Sequence, residues 1–433
     1  MPDSPPPPVS RNKRRIPYHW ELIGWLWLAY LMNQADRQIF NAVLPSIKAD
    51  LGLTDSQSGL IATIFILTMA VMLPVAGFLG DRFSRNKIVL ISIFAWSIAT
   101  LLTGFTTGLI SFIIIRSLAT AVGEAFYVPA ATALIGQHHV RSRSQALAIH
   151  QSALYFGTVL GGWGAGWLAD QYGWKHSFWV FGGLGVILVI LMARRLKGAA
   201  MERQAVAAKG EPVGAVLRSL FRTPTALVLA GVLGCATFVN MGYLTWMPTY
   251  LHEHFSLSLA KAGFNSMFWH QIFAFAGVLL GGYFSDRLAR GRPRVRLEIS
   301  GLAILAAGPA LYFMGTSGQL WTVYAALGCF GLCRGLYDSN IYASLFDIVP
   351  PRYHASATGL MVAFSFAVGS LAPIALGVVK QMSNTLSWGI ASLGLVYVAG
   401  SLALLFAARW LFPADFLRNQ QDVSTTQTQP SQS

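Results

Sequence analysis

Long apolar stretches, broken at short intervals by polar turns, dominate this chain. A helix needs about 20 mostly apolar residues to cross the hydrocarbon core of a bilayer. Twelve such stretches can be drawn, near 21–45, 57–79, 88–106, 110–136, 144–169 and 174–194, then near 225–251, 262–285, 297–315, 319–348, 355–380 and 386–411. The longest polar interruption, 194–224, divides them into two sets of six. The predicted fold is an all-α membrane protein of two six-helix bundles, 21–194 and 225–411. A basic cytosolic linker, 195–224, joins them, and tails 1–20 and 412–433 flank them. The Pro-rich, then basic N-terminus runs straight into the first apolar stretch without a small-residue cleavage site. It reads as a disordered tail before an uncleaved span.

Composition sharpens this picture. Only 11% of the 433 residues are charged and the mean hydropathy is +0.53, whereas a soluble domain carries about 25% charged residues. The net charge of +14 could suggest a nucleic-acid partner until the charges are placed. With both termini cytosolic, 24 of the 31 Lys and Arg residues fall on the inside, and the outer loops hold Lys48, Lys175, Lys261 and Lys380. That bias is the positive-inside rule. The basic residues face lipid headgroups, so the lipid bilayer is an expected partner and nucleic acid is not. Cys235, Cys329 and Cys333 lie in apolar runs and read as small packing residues. No Walker loop, HExxH, zinc-ligand set or GxSxG occurs, so no enzyme, no metal site and no cofactor are expected.

The chain repeats internally. Gly77-Phe-Leu-Gly-Asp81-Arg82 follows the second span and Gly282-Tyr-Phe-Ser-Asp286-Arg287 follows the eighth, each trailed by further basic residues that include Arg85 in the first copy. Two copies of a six-helix unit are a transporter design, with the substrate site where the repeats meet. The run GFLGDRFSRNK resembles the cytosolic loop signature of the major facilitator superfamily, and its presence in both halves extends the resemblance over the whole chain. The resemblance implies a gate latch, with Asp81 meeting a helix end or a basic residue of the opposite half when the cytosolic side closes. Within that superfamily, Asn33-Gln-Ala-Asp36-Arg37, LTDSQSGL at 53–60 and Gly123-Glu124-Ala125 resemble the Spinster group. The Asp-Arg and Glu-Ala pairs also resemble the anion:cation symporters, as does Trp246-Met-Pro-Thr-Tyr-Leu251. Both resemblances imply acids in spans one and four that take up protons, and a basic residue that meets an anionic headgroup.

Two departures stand out. Arg116 lies eight residues before Glu124, where these families more often have seven, and Thr120 stands where a Gly is usual. The spacing leaves the facing of Arg116 open. The fifth span, Gly157 to Gly166, resembles the Gly-rich antiporter motif but lacks its Pro, and reads as small-residue packing.

A charge at the centre of a span costs about 2.5–3.5 kcal/mol on insertion scales, so such residues pair, face the interior or mark a pathway. Six qualify: Asp36, Arg37, Arg116, Glu124, Arg334 and Asp338. Adjacent Asp36 and Arg37 point about 100° apart and cannot pair across one face. With Asn33 and Tyr30 they form a polar cluster predicted to face the cavity. Arg334 and Asp338 have the i, i+4 spacing of an intrahelical ion pair, although Arg334 could also supply an anion contact. Pro129 frees a carbonyl and kinks the fourth helix beside Glu124 and Tyr127. His150 with Gln151 and His270 with Gln271 are the remaining mid-span polar groups, each His reading first as a hydrogen-bonded core residue. Tyr155, Asn240, Tyr243 and Trp246 are further candidate lining residues.

These features predict an inner-membrane secondary transporter working by alternating access, and the resemblance implies a monomer. Asp36 and Glu124 would couple protons, with sodium left open as the ion, and Arg37, Arg116 and Arg334 would contact a small organic anion such as a sugar acid. Two alternatives remain: a Spinster-like carrier of a lysophospholipid or sphingoid phosphate, and a non-transporting receptor on the same fold. The paired latch motifs speak against the receptor.

Overall fold

The computed structural model describes residues 17–80, 83–139, 142–196, 213–289 and 291–428. They are helical almost throughout. Twelve long helical stretches stand where the apolar runs predict them. The first six are α1 (Tyr18–Leu51), α2 (Asp55–Gly80), α3 (Arg85–Thr103), α4 (Leu109–His138), α5 (Arg143–Tyr172) and α6 (Trp174–Leu196). A short helix, Val213–Phe221, lies in the linker. Then follow α7 (Pro224–Phe255), α8 (Leu259–Ala289), α9 (Val295–Thr316), α10 (Leu320–Phe346), α11 (354–383) and α12 (387–428).

Among the described residues, nine of these helices are apolar enough by composition to cross a membrane. The three that fall short are α1, α5 and α10. They carry Asp36 and Arg37, His150 with the glycine run, and Arg334 with Asp338. A helix that loses hydropathy to such residues must turn them away from lipid, so the same three helices are marked as interior. The outer wall carries exposed large apolar side chains instead, among them Val71, Ile110, Ile187, Leu302 and Leu395.

Packing follows the sequence repeat. Within the first half α1 packs on α5, α3 on α6 and α2 on α4. Within the second, α7 packs on α11, α9 on α12 and α8 on α10. Each pair recurs six helices later. The two broadest contacts between halves, α5 with α8 and α11 with α2, are related by the same shift, and α1 also touches α7 and α8. The predicted packing role of the fifth-span glycines is met on two faces. Gly157 and Gly161 sit against the α1 backbone at Leu31 and Ala35, while Gly162 and Gly166 sit against α8 at Gly263 and Leu259. A side chain on either stripe would collide with backbone, which cannot move aside. All three cysteines are free.

Candidate functional site

The halves are sealed at one end. Lys380, at the end of α11, is 5% exposed and pairs with Asp55 of the other half at 3.1 Å and with Glu253 at 2.7 Å. Lys48 holds the same Asp55 at 2.7 Å. Asp170, at the end of α5, accepts the backbone N–H groups of Leu259 and Ala260 at 3.1 and 2.9 Å. Those donors open α8 and have no partner within their own helix, so a carboxylate from the opposite half satisfies them. Trp246 belongs to this seal. It is fully buried, its indole N–H donates to the Pro373 carbonyl at 2.9 Å, and Lys380 lies 5.5 Å from its ring. Replacing Lys380 with Gln removes the buried cation that joins the halves. The population open at this end is expected to rise about tenfold, for a loss of about 1.4 kcal/mol. An Asn41→Cys probe in the cavity wall should react correspondingly faster with an impermeant maleimide, and an unchanged rate would dismiss the latch.

Between this seal and the end that carries Asp286 and Arg287 lies a cavity of about 340 Å³. Its wall takes residues from α1, α2, α4, α5, α7, α8, α10 and α11. Of the predicted lining residues, Arg37, Arg116, Tyr155, Asn240, His270, Gln271, Arg334 and Asp338 are in it. Tyr30, Asn33, Tyr127, Tyr243 and Trp246 are not. Asn33 is buried one residue off the cavity face, accepting from Gln34 at 3.1 Å. The face itself belongs to Gln34, Arg37, Gln38 and Asn41, a polar stripe at helical spacing that periodicity could have revealed. Tyr30 stacks on His150 with ring centres 4.6 Å apart. Tyr127 donates its hydroxyl to the Leu26 carbonyl at 2.6 Å and lies 3.2 Å from His150 Nε2. These three rings form a packed nest, and His150 is the core histidine the sequence suggests. Tyr243 donates to the Ser266 carbonyl and packs its ring on His270 and Phe330.

The charges are arranged in two groups. Arg37 Nε donates to Glu124 Oε2 at 2.6 Å, joining α1 to α4. Glu124 is fully buried and its Oε1 has no partner among the described residues. As the 100° offset requires, Asp36 turns the other way. Its Oδ2 accepts from Thr100 at 3.2 Å, and its Oδ1 also lacks a partner. Arg116 lies over the Phe65 ring at 4.6 Å and reaches the Asp36 carbonyl at 3.3 Å, leaving Nε and one terminal nitrogen without acceptors. In the second half Arg334 holds both oxygens of Asp338 at 2.8–2.9 Å, the intrahelical pair, and donates a further bond to the Ala236 carbonyl.

The facing of Arg116 has a local cause. Residues Ile113–Ala119 form a π-helical segment, and the Thr120 N–H bonds the Ile115 carbonyl five residues back. Such a bulge absorbs one extra residue per turn. The eight-residue spacing to Glu124 therefore behaves as about seven α-helical residues, close to two full turns. Arg116 and Glu124 return to one face. Downstream, a turn at Phe126 interrupts the helix three residues before Pro129, as the missing proline N–H requires.

Of the gating residues, Asp81 and Arg82 lie outside the described residues, and Gly77 is in the last turn of α2. In the second copy Gly282 is on the outer turn of α8, with open space at its Cα. Asp286 pairs within its own half with Arg296 at 3.0 Å, and Arg296 also holds Asp347 at 2.9 Å. Burial pushes the Asp347 carboxyl above its ordinary range while Arg296 pulls it back. Arg287 reaches the Tyr283 hydroxyl at 3.4 Å, and Arg85 begins α3.

The family model described as Major Facilitator Superfamily matches residues 26–373. The probable galactarate/D-glucarate transporter of Escherichia coli (strain K12) is 25% identical over 92% of this chain and 94% of its own length. Protein spinster homolog 1 of Xenopus tropicalis is 28% identical over 82% of this chain and 72% of its own. A crystal structure of a bacterial Spinster homologue, inward-facing and unoccupied, shares the fold with a TM-score of 0.77 at 20% identity, covering 94% of this chain and 99% of that one.

Proposed function

The chain belongs to the Major Facilitator Superfamily of membrane transporters, and from that premise we propose that it is a proton-coupled carrier of a small organic anion, with a sugar acid or a related hydroxylated carboxylate as substrate. The observation that carries this reading is the composition of the cavity wall. Gln34, Gln38, Asn41, Asn240 and Gln271 offer amides, which both donate to and accept from hydroxyl groups. Arg116 brings two guanidinium nitrogens that no acceptor among the described residues engages. A carboxylate would meet both of those donors. The sugar-acid transporter among the relatives supports the same class.

Coupling follows from the Arg37–Glu124 pair. A substrate carboxylate that draws Arg37 toward the cavity leaves Glu124 buried without its counter-ion. A lone buried carboxylate is costly and binds a proton. Asp36 beside Arg116 is a second station for the same proton, so that both acids are needed to carry it. Substrate and proton then enter together, and the halves rock once the buried charge is balanced. The sealed end is the outer one, both termini and the linker are cytosolic, and the carrier works as a monomer in the cell membrane.

One observation favours a second reading. Phe65, Met69 and Phe366 give the cavity an apolar side, which would accept the tail of a lysophospholipid. Thermal unfolding of the purified carrier against sugar acids, dicarboxylates, amino acids and lysophospholipids at two pH values separates the two, because a ligand of the folded state raises apparent stability by mass action. A sugar acid is expected to stabilise most, and more so at the lower pH. Stabilisation by lysolipid alone would replace the anion reading and reassign the arginines to a phosphate headgroup.

A further inference from the structure

A second cavity, of about 570 Å³, lies at the end of the C-terminal half where the linker helix Val213–Phe221, the 348–353 stretch before α11 and the last turns of α12 converge. Arg218, Arg222, Arg352 and Arg418 line it. Its one carboxylate is Asp415, which is 4% exposed and already engaged. Asp415 Oδ2 accepts the Thr225 N–H at 2.9 Å, and Oδ1 is 3.9 Å from Arg418. Arg418 donates to the Arg222 carbonyl at 2.8 Å, and Arg352 lies over the Tyr353 ring at 4.9 Å. Among the described residues, Arg218, Arg222 and Arg352 form no ion pair with a carboxylate. Four guanidinium groups around one concavity repel each other unless an anion joins them, and the planar guanidinium fork matches phosphate oxygens.

The surroundings say where that phosphate comes from. The linker helix buries Val216 and Leu220 against the bundle and leaves Leu217 and Phe221 exposed beside the arginines. Leu417 of α12 is exposed close to Arg418. Apolar side chains next to a basic pocket suit the depth at which a headgroup phosphate adjoins acyl chains. We propose that this pocket binds the phosphate headgroup of an anionic phospholipid, tying the linker, the start of α11 and the α12 end to the membrane surface. The inference is independent of what the carrier transports.

The test is lipid retention by the purified full-length protein. Native mass spectrometry would follow titration with phosphatidylglycerol, with phosphatidylcholine and with glycerol phosphate. Phosphatidylglycerol should bind at lower concentration than phosphatidylcholine, and more weakly as salt rises. A surface-proximal arginine contributes about a fivefold factor, so the combined variant R218Q/R222Q/R352Q should bind phosphatidylglycerol about 100-fold more weakly. The variant R194Q/R195Q, with two basic residues removed at the end of α6, should match the parent. Unfolding midpoints in lipid-free detergent report whether each variant is folded. Equal phosphatidylglycerol affinity in the parent and the triple variant would overturn the site. Occupancy by glycerol phosphate at the same concentration would overturn the lipid as its source.

Discussion

Carriers with Glu124→Gln or Asp36→Asn are expected to lose accumulation of substrate against its gradient while still exchanging substrate across the membrane. One proton coupled to a monoanion across a gradient of 2 pH units sustains about a 100-fold accumulation, because each unit is worth about 1.4 kcal/mol. Without the titrating group the ratio falls to about one. The two substitutions should differ in binding. Glu124→Gln releases Arg37 from its 2.6 Å partner, so affinity should lose most of its pH dependence and be no weaker than in the parent at low pH. Asp36→Asn leaves the Arg37–Glu124 pair intact, and some pH dependence should remain. Proteoliposomes with an imposed pH gradient measure accumulation, and counterflow in the same vesicles measures exchange. Full accumulation in both variants would remove the coupling assignment, as would loss of exchange with binding intact.

The second large effect concerns the seal. Gly162 of α5 and Gly263 of α8 face each other across the halves so closely that a Cβ on Gly162 would stand 2.7 Å from the Gly263 carbonyl oxygen. Gly162→Val should stop the outer end from closing. Transport should fall to background, since a carrier that cannot close one end cannot alternate. The protein should still insert and remain helical, because the clash exists only in the sealed state. The Asn41→Cys probe should become fully reactive from outside. Background transport with an unreactive probe would mean misfolding rather than a blocked gate. Normal transport would show that these helices never meet so closely during the cycle.

The linear pattern reaches far in this chain because the bilayer constrains it so strongly. Every backbone polar group in hydrocarbon must be bonded within its own helix, so apolar runs of sufficient length can be read directly as helices. The repeated Asp-Arg motifs then divide them, and the basic bias of one set of connections predicts an orientation. For the same reason the charged residues are legible as a group. Asp36, Arg37, Arg116, Glu124, Arg334 and Asp338 are expensive where they stand, and each does prove to be buried, paired or set into the cavity wall. The Arg334–Asp338 pair is equally visible, since i, i+4 contacts depend on helix geometry alone.

What the sequence could not decide is how helices meet. Arg37 pairs with Glu124, 87 residues away, and no local spacing encodes which acid an arginine will find. Aromatic identity says little about direction, so Tyr30, Tyr127, Tyr243 and Trp246 pass as cavity candidates until packing places them in the core and the seal. The latch of Lys380, Asp55 and Asp170 is not legible in the sequence, because these helix ends lie far apart in the chain and nothing in the LTDSQSGL run around Asp55 names its partner. The π turn at Ile113–Ala119 restores the facing of Arg116, yet a single inserted residue can be absorbed or can rotate everything beyond it. By itself the sequence determined the helices, their division into halves and the inventory of buried charge, all of which follow from the cost of polar groups in lipid. Only the tertiary structure decided which charges pair, which end is shut and which side chains line the cavity, because those depend on distances between segments that the chain does not record locally.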